Sequence, residues 1–460
     1  MPNRLSECDV IKVWQHQLLD RRRLLTEDGK LIEVIYPGRI NDDQGADFRD
    51  AVIATSRGLV RGDIEVHVKS SDWWHHRHHK DAVYNRVILH VVMWQNNKTA
   101  TNLQNGRAVP ILALDKYIKT PLSQESELAC PPTAISMPCY KATPRPTTGT
   151  MAELLDKAGE ERFLTKAAKF RADLAQMEAS QSLYQGIMGS LGYSKNKLPF
   201  LELAQRLPLQ ILESIAKRET SGEECLAWQQ ALLLETAGLL PSQYQDGHRE
   251  SVLNGGWIDT LERLWASSHY TKIMSQNDWH LFKVRPYNSP TRRLVAMSYL
   301  VLRYREKGIL EELVKLIKEV PLSQGYHRLE EGLLVIDDDH RASQFDFSSG
   351  RGMRRLTLLG RERAADITVN VLLPSVFALG QFTSQVALEK KALELYRHYP
   401  NLAINSIERH MMNQLGISCS AVKSAQQQQG LIHIYSHLCT QGKCNECLLS
   451  QLEAGHYIQV

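Results

Sequence analysis

Eight consecutive residues of this 460-residue chain carry its densest chemistry. In Gly62-Asp63-Ile64-Glu65-Val66-His67-Val68-Lys69, apolar and ionisable side chains alternate from Asp63 onward. Extended backbone sends successive side chains to opposite faces. A strand here therefore puts Ile64, Val66 and Val68 on one face and Asp63, Glu65, His67 and Lys69 on the other. Asp47 stands 18 residues before Glu65, in Gly45-Ala46-Asp47-Phe48, just ahead of another strand-like run. A hard cation such as Mg²⁺ or Mn²⁺ takes oxygen ligands in near-octahedral geometry and keeps several waters. Asp47, Glu65 and the Val66 carbonyl would supply three positions, and a basic residue two beyond Glu65 would orient or deprotonate an attacking water. Two carboxylates about 4 Å apart repel by about 4 kcal/mol at an effective dielectric near 20. Such a pair needs a cation or a raised pKa, and either marks a functional site. The competing reading is the solvated outer face of an antiparallel sheet. The neighbouring runs 31–36 and 86–94 read as interior strands, which favours a cleft.

Asp72-Trp73-Trp74-His75-His76-Arg77-His78-His79-Lys80-Asp81 follows directly, with four of the 17 histidines. Histidines beside carboxylates suit Zn²⁺, Mn²⁺ or Fe. The plain alternative is a polar loop of hydrogen-bonded histidines. Trp73 and Trp74 read equally as lids on the core or as platforms for stacked bases. His90, inside an apolar run, reads as a core histidine. Cys439-x4-Cys444-x2-Cys447 around Gly442-Lys443 is knuckle-like. Its three thiolates, with His437, His433 or Cys419 as a fourth ligand, would hold Zn²⁺ or an iron–sulfur cluster. The alternative is a set of buried thiols at a helix end. Arg285, Arg292 and Arg293 lie around Pro286 and Pro290, and Ser289-Pro290 reads as N-cap then first residue of a helix. Arginines there would suit a nucleic-acid phosphate; interdomain salt bridges are the bland alternative.

The elements that must position these groups follow from pattern. Residues 10–19 read as an amphipathic helix, 31–36, 51–55 and 62–69 as strands, and Ser56-Arg57-Gly58 as a tight turn. Residues 79–86 read as a helical turn, and 86–94 (RVILHVVMW) as a strand buried on both faces. Residues 109–114 form a further candidate strand. Residues 150–330 are helix-like, with 226–239 periodic and Pro208 dividing 198–212 between two helices. Within 333–373, LLVI and ITVNVLL read as short strands, and 383–438 returns to helix. The expected fold class is an α/β N-terminal domain with a central mixed sheet, followed by a mostly helical body with a small β insertion. Four segments result: an α/β domain at 1–120, a proline-rich irregular linker at 121–149, a helical domain at 150–330, and a mixed region at 331–460 ending in the cysteines.

A chain of this length exceeds the roughly 250–300 residues one core serves. Its 43% hydrophobic and 23% charged content excludes a disordered, collagenous or fibrous chain. The net charge of +4 permits a DNA or RNA partner without demanding one. Eight cysteines are too few for a disulfide scaffold, so a reducing compartment is expected. No apolar run approaches the ~20 residues that span a bilayer, and the first residues lack a secretory core. A cytoplasmic protein with no membrane partner is expected; the oligomeric state is open.

Carboxylate, hairpin, then Glu-x-basic on the return strand resembles the layout of PD-(D/E)XK nucleases. The resemblance implies a restriction-endonuclease-like sheet, with Asp47, Glu65, His67 and Lys69 as catalytic residues acting on phosphodiesters. This chain departs from it in carrying His67 where lysine is expected, with Lys69 as the reserve, and Ala46 where proline is expected. PGRIN, GADF, GDIEVHVKSSDW, H-x-H-x-x-D and YNRVILHVV are similar to segments of an uncharacterised bacterial domain-of-unknown-function family, number 2851. That likeness extends to Leu191-Gly192-Tyr193, Asn196, Arg293 and the terminal cysteines. It singles out His76, His78 and Asp81 as ligands of a second ion or supporting groups. The family implies no activity. The leading expectation is thus a metal-dependent nuclease. A non-catalytic nucleic-acid- or protein-binding scaffold and a zinc or iron hydrolase of small molecules are the alternatives.

Overall fold

The computed structural model describes residues 5–19, 24–118, 148–219, 221–243, 256–266, 273–281, 284–285, 288–337 and 356–447. The expected linker at 121–149 falls almost wholly outside them. The chain divides into two compact units. One comprises Met1–Gly159, Ile404–Lys423 and Gln427–Val460, the other Glu160–Ala403 with Ser424–Gln426. This cuts the 331–460 segment of the sequence reading at residue 404.

The first unit is α/β, as the alternating and continuous apolar runs require. Its elements begin with α1 (Glu7–Gln15), β1 (Leu24–Leu25), β2 (Leu31–Tyr36), β3 (Arg39–Ile40), β4 (Phe48–Thr55) and β5 (Gly58–Lys69). Then come α2 (Asp72–His75), two 3₁₀ turns at His78–Lys80 and Ala82–Arg86, β6 (Val87–Trp94), β7 (Thr101–Asn102), β8 (Ala108–Val109) and β9 (Ile111–Ala113). The main sheet runs β1-β2-β4-β5-β6-β9, with β3 paired to β4. Strands β2, β4 and β5 are antiparallel neighbours, whereas β5–β6 and β6–β9 are parallel. A parallel neighbour needs a crossover, and the histidine-rich segment lies within the one between β5 and β6. Strand β5 starts four residues earlier than the alternation suggests, and β4 three, because the hairpin closes on Thr55 and Gly58.

Alternation along β5 sorts the sheet's two faces. Ile64 and Val66 join Leu89 and Val91 of β6 in an apolar layer covered by Val10, Val13 and Trp14 of α1. Asp63, Glu65 and His67 are also buried, on the opposite side, as is His90 of β6. The solvated-face alternative is therefore overturned. At Gly62 a Cβ would stand 2.3 Å from Ile88 Cγ2 and 2.4 Å from the Arg86 carbonyl. Only glycine lets the start of β6 close against β5 there. The C-terminal helices α15 (Ser406–Leu415) and most of α16 (Ala425–His437) belong to this unit. Met411, Met412, Leu431, Ile434 and Tyr435 pack with Tyr36 and Val52 of the sheet.

The second unit is helical around one large core. It holds most of α3 (Thr148–Leu174), then α4 (Ala179–Leu191), α5 (Lys197–Arg206), α6 (Leu209–Arg218), α7 (Gly222–Thr236), α8 (Gly256–Ala266) and α9 (Pro290–Arg303). It continues through α10 (Ile309–Glu319), α11 (Gly325–Leu333), α12 (Arg361–Ile367), α13 (Leu373–Phe382) and α14 (Val386–Arg397). Pro208 separates α5 from α6, as its missing N–H predicts. The small β insertion is an antiparallel pair, β10 (Val335–Asp337) and β11 (Leu356–Leu359).

ITVNVLL is a correction: it is not a strand but the tail of α12, a π-helical turn at Thr368–Leu372 and the start of α13. A short β-branched apolar run cannot distinguish a buried strand from a buried helix, and burial on all sides decided for helix. The continuous helical stretch Arg361–Phe382 is long and apolar enough to cross a membrane by length and composition, and 72% of its apolar window is buried inside the protein.

Candidate metal centre

Register brings the predicted carboxylates together. Pairing of β4 with β5 sets Phe48 opposite Ile64, so Asp47 falls beside Glu65. The two are reciprocally bonded. The Asp47 backbone N–H donates to Glu65 Oε2 at 3.2 Å, and the Val66 backbone N–H donates to Asp47 Oδ2 at 2.9 Å. Both carboxyl groups are driven toward their neutral forms. Burial, then the neighbouring Glu65 charge, pushes Asp47 up to about 7. Burial pushes Glu65 up to about 8.

The histidine segment completes this site rather than making another. The crossover folds back so that His78 Nε2 lies 3.1 Å from Glu65 Oε1. His67 Nε2 is 3.6 Å from the same oxygen and 3.1 Å from His76 Nδ1. One nitrogen from each of His67, His76 and His78 lies within 4.8 Å of the others. His78 Nε2 is buried and, despite its nearness to Glu65, has no hydrogen-bond partner. Behind His67, its Nδ1 meets His90 Nε2 at 2.8 Å, and His90 Nδ1 meets Thr101 Oγ1 at 3.0 Å. Burial lowers His67 to about 2 and His90 to about 3, so both are neutral imidazoles at ordinary pH. Trp73 closes the site from the crossover, with its ring against His78 and His90 and its indole N–H donating to the Asn102 carbonyl. It is a lid, fully buried, and not an open platform for a base. The Trp74 ring lies tilted against that of His79, with ring centroids 4.4 Å apart.

Other expected members stand apart. Lys69 is exposed at the end of β5, and its backbone N–H donates to Asp72. Asp81 is exposed and caps the following 3₁₀ turn by accepting from the Val83 N–H, and it lies outside the grouped His67, His76 and His78. Asp63, at the far end of the polar face, accepts from the Asp50 N–H at 3.1 Å, and Arg86 bridges Asp50 and Asp63. Among the described residues, Cys439, Cys444 and Cys447 are not in a metal-holding group. Cys447 and Cys439 pack instead in the apolar layer beneath the C-terminal helices. Arg292 and Arg293 are buried in the helical unit, donating to the Thr357 and Leu358 carbonyls of β11. Arg293 also donates to Tyr193 and Asn288. They tie a hairpin to α9 and offer no open phosphate-gripping face. Arg285 is exposed.

Sequence reasoning missed three contributors and named a fourth, His90, as a core histidine, which its burial and two ring hydrogen bonds bear out. His90 had a signal, since it is the one ionisable residue in an apolar strand and pairs with Glu65 in register. Tyr84, whose ring lies 3.9 Å from that of His78, falls in the quoted YNRVILHVV segment. Thr101 has no local signal. Glu7, in the first turn of α1, is within electrostatic reach of Asp47, Glu65 and His78 and reads locally as an ordinary helix-start carboxylate.

A family model described as protein of unknown function (DUF2851) matches residues 7–402. No curated protein and no solved structure matches the chain.

Proposed function

The chain belongs to that family, and we propose that it is a metal-dependent hydrolase of phosphodiesters, with nucleic acid as its substrate class. The observation that carries the reading is the register that sets Asp47 against Glu65 with His67 two residues along the same buried face. An opening helix, an antiparallel β2-β4-β5 meander and a parallel β6 are the elements a restriction-endonuclease-like fold would require, and they support the same reading.

The residues present fit a bound cation. Two adjacent buried carboxyls are destabilised as anions until a cation neutralises them, and His78 Nε2 lacks a hydrogen-bond partner beside them. A bound divalent ion would polarise a phosphoryl oxygen and make a coordinated water more acidic. Asp47, whose carboxylate accepts from the Val66 N–H and which lies beside Glu65, is the group placed to hold or accept a proton next to the cation site. His67 is held neutral and supplies a nitrogen lone pair, not the fixed charge of a lysine. Trp73 and Tyr84 exclude water from the back of the site.

Full-length protein with DNA or RNA and a divalent ion is expected to cleave the strand. Asp47→Ala should lower the rate by about 10²-fold or more, the range general bases supply. Asp47→Asn, which keeps the acceptor for the Val66 N–H, separates loss of the base from loss of the fold. Cleavage unchanged in both variants contradicts the reading. A second reading, hydrolysis of a small molecule, is favoured by one observation: the arginines expected to grip phosphate are buried against carbonyls. Turnover of small esters or amides with inert DNA and RNA would select it. Absence of metal binding would leave a non-catalytic scaffold.

A further inference from the structure

Which ion the centre takes is a question of donor chemistry and spacing. Four donor atoms held about 2.0–2.2 Å from one ion stand roughly 3.0–3.6 Å apart. The observed separations are His67 Nε2 to His76 Nδ1, 3.1 Å; His78 Nε2 to Glu65 Oε1, 3.1 Å; and His67 Nε2 to Glu65 Oε1, 3.6 Å. Three of the six donor pairs thus stand at spacings one ion would set, and the three imidazole nitrogens lie within 4.8 Å of one another. Mg²⁺ demands oxygen ligands and sheds water reluctantly, whereas imidazole suits Zn²⁺, Mn²⁺, Fe²⁺ and Co²⁺.

Metal-binding imidazoles are oriented by what their other nitrogen does. His67, His90 and Thr101 are all but fully buried and run in line. With His90 Nδ1–H donating to Thr101 Oγ1, His90 Nε2 must accept from His67 Nδ1–H. That leaves His67 Nε2 with a bare lone pair facing Glu65 and His76. The reverse proton order would put an N–H where a cation belongs, so an occupied site selects the first.

We infer that His67, His76, His78 and Glu65 form a single site for one first-row transition ion, and that His90 and Thr101 are positioning residues that fix the donor tautomer of His67. The inference deepens the proposed hydrolase reading, on which it rests for the purpose of the site, and it gives the ions expected at Glu65 and at the histidine segment one location.

The test uses full-length protein stripped with chelator, then titrated calorimetrically with Zn²⁺, Co²⁺ and Mg²⁺, with bound metal counted by elemental analysis. One equivalent of Zn²⁺ or Co²⁺ per chain is expected, with millimolar Mg²⁺ displacing neither. Bound Co²⁺ should show visible absorption that His78→Ala abolishes. Thr101→Val and His90→Ala should retain the stoichiometry but weaken binding about 10–100-fold. His90→Gln, whose amide can accept from His67 and donate to Thr101, should recover most of that loss. A Cys439→Ser, Cys444→Ser, Cys447→Ser variant should bind as the parent does. Metal content unchanged by His78→Ala, tight Mg²⁺ binding, or wild-type affinity in both Thr101→Val and His90→Ala overturns the inference. Cleavage supported by Mg²⁺ alone would sink it while leaving the hydrolase reading intact. One tight Zn²⁺ without hydrolysis of any substrate would do the reverse.

Discussion

Asp47 and Glu65 are buried where their charged forms are disfavoured, and His67 and His90 where theirs are too. The two pairs pull stability in opposite directions with pH. The carboxyls, raised from ordinary values of 3.8 and 4.5 to about 7 and about 8, contribute stability that is complete below about pH 4 and lost as pH rises through 7 and 8. The imidazoles, lowered from 6.5 to about 2 and about 3, contribute stability present above 6.5 and lost as pH falls. Between about 4.5 and 6.5 the trends cancel. The share of metal-free stability owed to these four groups is therefore flat across that window and falls on both sides. Each group that differs in protonation contributes about 1.4 kcal/mol per pH unit. Urea denaturation of chelator-treated protein from pH 4 to 9 checks this. The alkaline fall should shrink in Glu65→Gln and when saturating Zn²⁺ is added to the parent. An identical alkaline slope in parent and Glu65→Gln would show that this carboxyl is not the cause. The Asp47–Glu65–His67 convergence was legible from alternation along the strand together with the resemblance to the PD-(D/E)XK layout that singled out Asp47. The outer pair His90–Thr101 was half legible, because His90 interrupts an apolar run while Thr101 looks like any short-strand residue.

Two strand junctions aim the site. Strand β4 is irregular between Phe48 and Ala51, where Asp50 adopts a φ of 60°. A non-glycine residue in that region is held by its surroundings. Here Asp63 accepts its N–H, while Arg86 and Tyr435 donate to its carboxylate. That irregularity sets the register bringing Asp47 to Glu65, and no turn residue in the sequence announces it. Gly62 is the second junction. Gly62→Ala would drive a methyl into Ile88 and the Arg86 carbonyl at the start of β6. Overpacking of this kind costs about 1–3 kcal/mol, and β6 carries His90. The variant should lose stability by that amount and bind Zn²⁺ more weakly than the parent. Parent-like melting and affinity would mean that β5 and β6 are not closely apposed there. The misread ITVNVLL segment shows the limit of local pattern. Its β-branched residues favour a strand only where a sheet edge is available, and a fully buried helix satisfies the same hydrophobicity.

Across the whole molecule, long-range return of the chain is what sequence reading could not see. Ile404–Lys423 and the stretch from Gln427 onward looked like the end of a separate region but belong to the unit that carries the site. Tyr435 bonds Asp50, and His410 bonds the Tyr36 hydroxyl at 2.6 Å. Cys447 is buried in the same layer and Cys439 packs half-buried against it. The arginines of the α9 start turned out to be interior donors for the same reason: a motif fixes residue types, and only packing decides what they face. The account's central claim is one cation among His67, His76, His78 and Glu65. Its most direct test is an anomalous difference map from crystals of full-length protein grown with Zn²⁺, recorded above and below the zinc edge. The expected result is one strong peak about 2.0–2.2 Å from His67 Nε2, His76 Nδ1, His78 Nε2 and a Glu65 oxygen. A peak only at Cys439, Cys444 and Cys447, or none at all, would contradict it.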